Sequence, residues 1–297
     1  MVLIGVSNAP RPCRLCKARK MRVGQHVALA FLPLGMIGCR TPVSVHPGQY
    51  ERGLVWLFPG VEGGAARMRP AISAFRDVGV DGAIEIHDWD RAMGLVRNLV
   101  DHKRNRRDAR RIARRIEQYH GEHPNNPVDL IGYSGGGGMA VMVAEALSER
   151  IRIRNLVLVQ PALSSRYNLS SAIRHVDGSL VHFSSPLDAV VLGMGTTALG
   201  TMDRVYGPSS GWLGIDLEYA APERELRDKV TQITWSPSMV SSGHWGGHAQ
   251  IFGYAWNRRY VAPHLLPRQS SRPPAKPERN WHVLQLFSVR ISHCHSS

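Results

Sequence analysis

Between about residue 53 and residue 262 the chain alternates short apolar runs with longer amphipathic ones. Leu54–Phe58, Ala83–His87, Val128–Ile131, Leu156–Val159, Ser179–Phe183 and Val230–Trp235 are short, apolar and bounded by turn-forming residues, and read as strands. Arg67–Val78, Asp90–Tyr119, Gly136–Ser148 and Ala249–Tyr260 carry apolar residues at helical spacing and read as helices. Regular alternation of this kind predicts an α/β fold, a mainly parallel sheet of about six strands flanked by helices. In such sheets ligands sit beyond the carboxyl ends of the strands, so the residues just after each run are the ones to inspect for chemistry.

After Val128–Ile131 comes Gly132-Tyr-Ser-Gly-Gly136, followed at once by the helical stretch through Met139, Val143 and Leu147. This is G-x-S-x-G between a buried strand and a helix, a sharp turn that exposes the hydroxyl of Ser134. Gly132 and Gly136 keep side chains from colliding across that turn. A glycine-rich phosphate loop is the competing reading of Gly135–Gly138. No Lys-Ser/Thr follows these glycines, G-x-G-x-x-G is not matched, and the next strand ends in Gln160 rather than an acid. Four glycines opening a helix cost about 1 kcal/mol each relative to alanine, which calls for something approaching the backbone closely.

A serine nucleophile needs a base, and the base needs a carboxylate to orient it. Ser179–Phe183 is followed by Asp188, with Asp203 as a second candidate acid. Val230–Trp235 is followed by Ser241-Ser-Gly-His244-Trp-Gly-Gly-His248. His244, after a glycine in the loop, is the preferred base. His248, at the start of the next helix, is the alternative.

With Leu57-Phe-Pro-Gly-Val61 added, these motifs make residues 53 to about 262 resemble the α/β-hydrolase superfamily of lipases, esterases and peptidases. The resemblance implies the order Ser134, Asp188, His244 for nucleophile, acid and base. It also implies an oxyanion loop at Phe58–Gly64, with the backbone N–H groups of Val61 and Gly135 as donors. Few strands precede that loop, which implies a reduced sheet. No long helical insertion is present to form a large lid. The implied activity is hydrolysis of a small-molecule or lipid carboxylic ester through an acyl-enzyme, with no metal and no cofactor. The alternatives are a peptidase or thioesterase, or a non-catalytic surface-anchored binding protein on the same fold.

The net charge of +14 suggests nucleic acid until it is located. Six Lys/Arg and no acid lie in residues 1–38, and another basic excess lies in the tail after His264. The rest concentrates between Arg97 and Arg115, where Leu99, Ile112 and Ile116 define a core-facing stripe and the arginines a solvated face. That run has no aromatic residue to stack on bases, so no nucleic-acid partner is expected.

Lys17, Arg19, Lys20 and Arg22 precede the apolar run Val27–Gly38, which Cys39 follows directly. A basic flank and an apolar stretch too short to span a bilayer read as an export signal. Met36-Ile-Gly-Cys39 resembles a bacterial lipoprotein processing site. The expectation is an exported protein of the bacterial cell envelope, associated peripherally with a membrane through lipid on Cys39. Met21 is a more usual start for such a signal than Met1. Cys13 and Cys16 form a lone C-x-x-C with no second pair, which argues against zinc. The expected organisation is an N-terminal extension and signal over 1–39, an α/β domain over 50–262, and a basic Pro/Ser-rich tail over 263–297 that need not pack.

Overall fold

The computed structural model describes residues 45–62, 64–87 and 94–267. The chain divides into units at residues 1–39 and 40–297, and every described residue lies in the second. The expected signal, Cys39 and the tail beyond 267 lie outside the described residues.

Six strands form one sheet in which every pairing is parallel. They are β1 (Leu54–Phe58), β2 (Ala83–Ile86), β3 (Val128–Tyr133), β4 (Ile153–Val159), β5 (Val176–Ser184) and β6 (Val230–Thr234), in the order β2-β1-β3-β4-β5-β6. The α/β architecture is the one that the apolar periodicity predicts. The order runs outward in both directions from β1 and β3, so the loops after these two strands open at the point where the winding reverses, a place where such sheets bind ligands.

Strand residues alternate between two cores. Leu54, Trp56, Phe58, Leu130, Leu156, Leu158 and Leu180 face one core, and Val55, Leu57, Ile131, Tyr133, Val157, Val159, Val181 and Phe183 face the other. Both faces are covered, which is why the central strands read as continuous apolar runs rather than as alternating ones.

After a short turn, α1 (Pro47–Tyr50), the helices are α2 (Ala65–Asp77), α3 (Gly94–Val100), α4 (His102–Glu122), α5 (Gly135–Glu145) and α6 (Ser170–Arg174). The first core is closed by α4, α5 and α6. The second is closed by α2 and by the chain around Ile251, Phe252, Trp256 and Leu265.

Two predicted helices differ in form. The long one over 90–119 is broken at Asp101, whose carboxylate accepts from the Arg104 N–H (3.2 Å) and so starts α4 afresh. The one over 249–260 is a succession of short 3₁₀, α and π turns from His248 to Leu265. Extended backbone at Gly253 interrupts it. Packed chain also runs past 262: Leu265 is buried, and its carbonyl and that of His264 accept from Arg154 and Asn155.

Between β5 and β6 lie only short helical pieces, the longest being the seven-residue π-helical segment Ala189–Gly195. Among the described residues no helix is long and apolar enough to cross a membrane.

Candidate active site

Strand β3 ends at Tyr133 and α5 begins at Gly135, leaving Ser134 alone to make the turn, at φ 55° and ψ −125°. An L-residue in this left-handed region carries about 1–3 kcal/mol of strain, so the surroundings must hold it. They do so through main-chain bonds. The Ser134 N–H donates to Val159 O (2.9 Å), and its carbonyl accepts from Gly137 N (2.9 Å) and Ala162 N (3.0 Å).

The glycines around it are required by close approach. A Cβ on Gly132 would lie 2.3 Å from Gly136 O, and one on Gly136 only 2.1 Å from Phe58 O. Each of the next two glycines also faces a close neighbour, Pro161 at Gly137 and Met202 at Gly138. These contacts account for the run of helix-weakening residues.

The imidazole within reach of Ser134 belongs to His248. Its Nε2 lies 2.9 Å from Ser134 Oγ and its Nδ1 lies 2.5 Å from Asp188 Oδ2. Asp188 is buried, four residues past β5. It leads into the π-helical segment but its side chain makes no cap bond there, which leaves the carboxylate to His248. Asp203, the second candidate acid, is occupied elsewhere: its two oxygens accept from the Ser164 N–H (3.0 Å) and hydroxyl (2.6 Å).

His244, the base preferred from the sequence, does not reach Ser134. It is buried against Trp256 with ring centroids 4.8 Å apart, and its Nδ1 accepts the Gly246 N–H (2.9 Å). Burial lowers its pKa to about 4, so it is neutral near pH 7. Left-handed bends at Gly243 (φ 82°) and Gly246 (φ 92°) reverse the loop, turning His244 inward and carrying His248 out to the serine. The paired glycines just before His248 are the signal in the sequence that favours it.

A neutral His244 that accepts at Nδ1 carries its proton on Nε2. The Gln160 amide lies 3.4 Å from that Nε2, so the tautomer requires Gln160 to present its carbonyl oxygen to the ring. Gln160 is itself buried at φ 43°, a second strained residue beyond a strand end, here that of β4. It therefore buttresses the histidine loop, a role that no motif announces.

Val61 and Gly135 lie side by side. A Cβ on Gly135 would lie 2.4 Å from Val61 Cγ1, and the Gly135 N–H stands in the first turn of α5, where amides lack intrahelical acceptors. The Val61 peptide is pinned from α3: Asn98 Nδ2 donates to Val61 O (3.3 Å). Asn98 is in turn held by Arg104 Nη2 on its Oδ1 (2.7 Å) and by Asn105 Nδ2 on its carbonyl (2.9 Å). Asn98 on α3 and Arg104 and Asn105 at the start of α4 support the loop from a stretch that the sequence marks only by its apolar stripe and its basic face. Among the described residues no group of three His, Cys, Asp or Glu could hold a metal ion.

No protein-family model matches the chain, and no curated protein does. Among solved structures it is similar to an uncharacterized protein from Bacillus cereus ATCC 10987 (12% identity over 72% of this chain, TM-score 0.38), spanning 58% of that protein's length. It is also similar to a dienelactone hydrolase-like promiscuous phosphotriesterase, P91, from metagenomic libraries (16% identity, 69% of this chain and 82% of that one, TM-score 0.40). A third is a predicted CIB-like hydrolase from Thermoplasma acidophilum (15% identity, 69% and 81%, TM-score 0.37). At this level of likeness the chemistry has to be read from Ser134, His248 and Asp188 themselves.

Proposed function

We propose that this chain is a serine hydrolase that cleaves carboxylic esters through an acyl-enzyme on Ser134. The observation that carries the reading is the continuous relay from Ser134 Oγ to His248 Nε2 (2.9 Å) and from His248 Nδ1 to Asp188 Oδ2 (2.5 Å). Three segments far apart in the chain meet there in the order that general-base catalysis requires.

In the first half-reaction His248 Nε2 takes the Ser134 proton as Oγ attacks the ester carbonyl. Asp188 holds the Nδ1–H tautomer and offsets the imidazolium charge. The negative oxygen of the tetrahedral intermediate faces the N–H groups of Val61 and Gly135. The intermediate collapses with transfer of the His248 proton to the departing alcohol. A water, deprotonated by His248, then releases the acid and restores the serine. Strain at Ser134 keeps the nucleophile presented and fixed throughout.

Reaction with a fluorophosphonate probe tests this. Wild type and His244→Ala should label, whereas Ser134→Ala and His248→Ala should not. Equal labelling of wild type and Ser134→Ala would overturn the reading in favour of a binding protein on the same fold. Export and lipid attachment at Cys39 are part of the proposal on the sequence of residues 17–39 alone. Mass spectrometry of the mature N-terminus tests them.

A further inference from the structure

The large apolar side chains that stand exposed are not scattered. Among the described residues all but Tyr219 and Tyr254 belong to 94–100, 187–213 or Trp245. These segments meet around Ser134. Leu187 precedes Asp188, and a Cβ on Gly246 would lie 2.6 Å from Leu187 Cδ1, so the loop carrying Trp245 abuts it. Met202 packs on Gly138 of α5, and its carbonyl faces His102 Nδ1 (3.4 Å) at the start of α4. From the third side, α3 reaches Val61 through Asn98. The segments that bound the site thus carry Val96, Leu187, Val190, Met194, Tyr206 and Trp245, all exposed. Apolar side chains gathered in this way at one end of a sheet mark an interaction surface.

Exposed cations stand beside these segments in the chain. Lys103, Arg107 and Arg204 are exposed and form no ion pair among the described residues. The neighbouring carboxylates are engaged: Asp101 with Arg97 and its own helix start, Asp203 with Ser164, and Asp188 with His248. Apolar side chains flanked by unpaired cations complement a surface with an apolar interior and anionic headgroups.

We infer that these segments form a rim that docks the mouth of the site onto an anionic lipid bilayer. Val190, Met194 and Trp245 enter the headgroup boundary, while Lys103 and Arg204 meet lipid phosphates. The inference rests on the ester-hydrolase reading for its use, since a lipid surface would present acyl esters to Ser134, but docking itself needs no catalysis.

The test is cosedimentation of the full chain with phosphatidylcholine vesicles, with and without phosphatidylglycerol. Wild type should partition onto the phosphatidylglycerol vesicles, and less so as salt is raised. The pair Val190→Ser/Met194→Ser, and separately Trp245→Ser, should weaken partitioning about tenfold or more. Lys103→Glu/Arg204→Glu should weaken it about tenfold on anionic vesicles alone. Tyr219→Ser, an exposed aromatic outside these segments, and Ser134→Ala should bind as wild type. Failure of wild type to partition overturns the inference, and so does rim-variant binding equal to wild type, which would assign the lipid to another part of the chain. Self-association that the rim variants abolish, without any lipid binding, would assign the rim to a second copy and overturn it as well. Vesicle binding without fluorophosphonate labelling would sink the hydrolase reading alone.

Discussion

Two buried imidazoles should make this protein lose stability from about pH 6.5 downward, before its carboxylates begin to titrate. His182 lies within β5, fully buried, and both of its ring nitrogens lack hydrogen-bond partners. Burial lowers its pKa from 6.5 to about 3. The same cause lowers that of His244 to about 4. Both folded values lie below the unfolded one, so below pH 6.5 the unfolded chain binds protons that the folded chain refuses. Stability is therefore complete above 6.5 and is lost as pH falls toward the folded values. Each histidine contributes a slope of about 1.4 kcal/mol per pH unit in that window. Integrated over the shifts, this is about 3 kcal/mol for His244 and about 5 kcal/mol for His182 as upper bounds. By pH 4 the two together remove up to about 6 kcal/mol, a large share of the about 5–15 kcal/mol of an ordinary domain, so stability should fall steeply between about pH 6.5 and pH 4. Urea titrations at a series of pH values measure the slope directly. His182→Leu fills the same space without unsatisfied nitrogens. It should raise stability at neutral pH by about 1–3 kcal/mol and remove roughly half of the acid slope. A stability that stays flat from pH 7 to 4.5, or a His182→Leu slope equal to wild type, would refute the reasoning.

Three further substitutions bear on the site and its scaffold. Asp188→Asn keeps the shape but favours the wrong His248 tautomer, and kcat on a p-nitrophenyl ester should fall about 10³–10⁴-fold while KM changes little. Gly136→Ala places a methyl 2.1 Å from the Phe58 carbonyl, which cannot yield without moving the oxyanion loop. Fluorophosphonate labelling should then drop sharply, and wild-type labelling would contradict the geometry. Arg154→Ala strips the partner from Asp129, a buried carboxylate whose pKa desolvation already raises. Chemical denaturation should show a loss of about 3–5 kcal/mol, with the site's labelling retained in the folded fraction.

The six strands and the serine turn were legible in the sequence because their causes are local. A strand buried on both faces must be a short apolar run, and a strand-to-helix reversal at one residue must be lined with glycine, as at Gly132 and Gly136. Asp188 was legible for a related reason, since it closely follows a strand's carboxyl end. The base was not: His244 and His248 sit in one glycine-rich loop, and the sequence reading preferred His244, the ring that turns away from the serine. Only the folded chain, bent at Gly243 and Gly246, settles which ring turns to Trp256 and which to Ser134. Gln160, Asn98 and the unpartnered His182 were illegible for the same reason: their roles exist only through neighbours brought from distant parts of the chain. Local steric demands on the backbone determined what the sequence could show, and the meeting of side chains remote in sequence decided the rest.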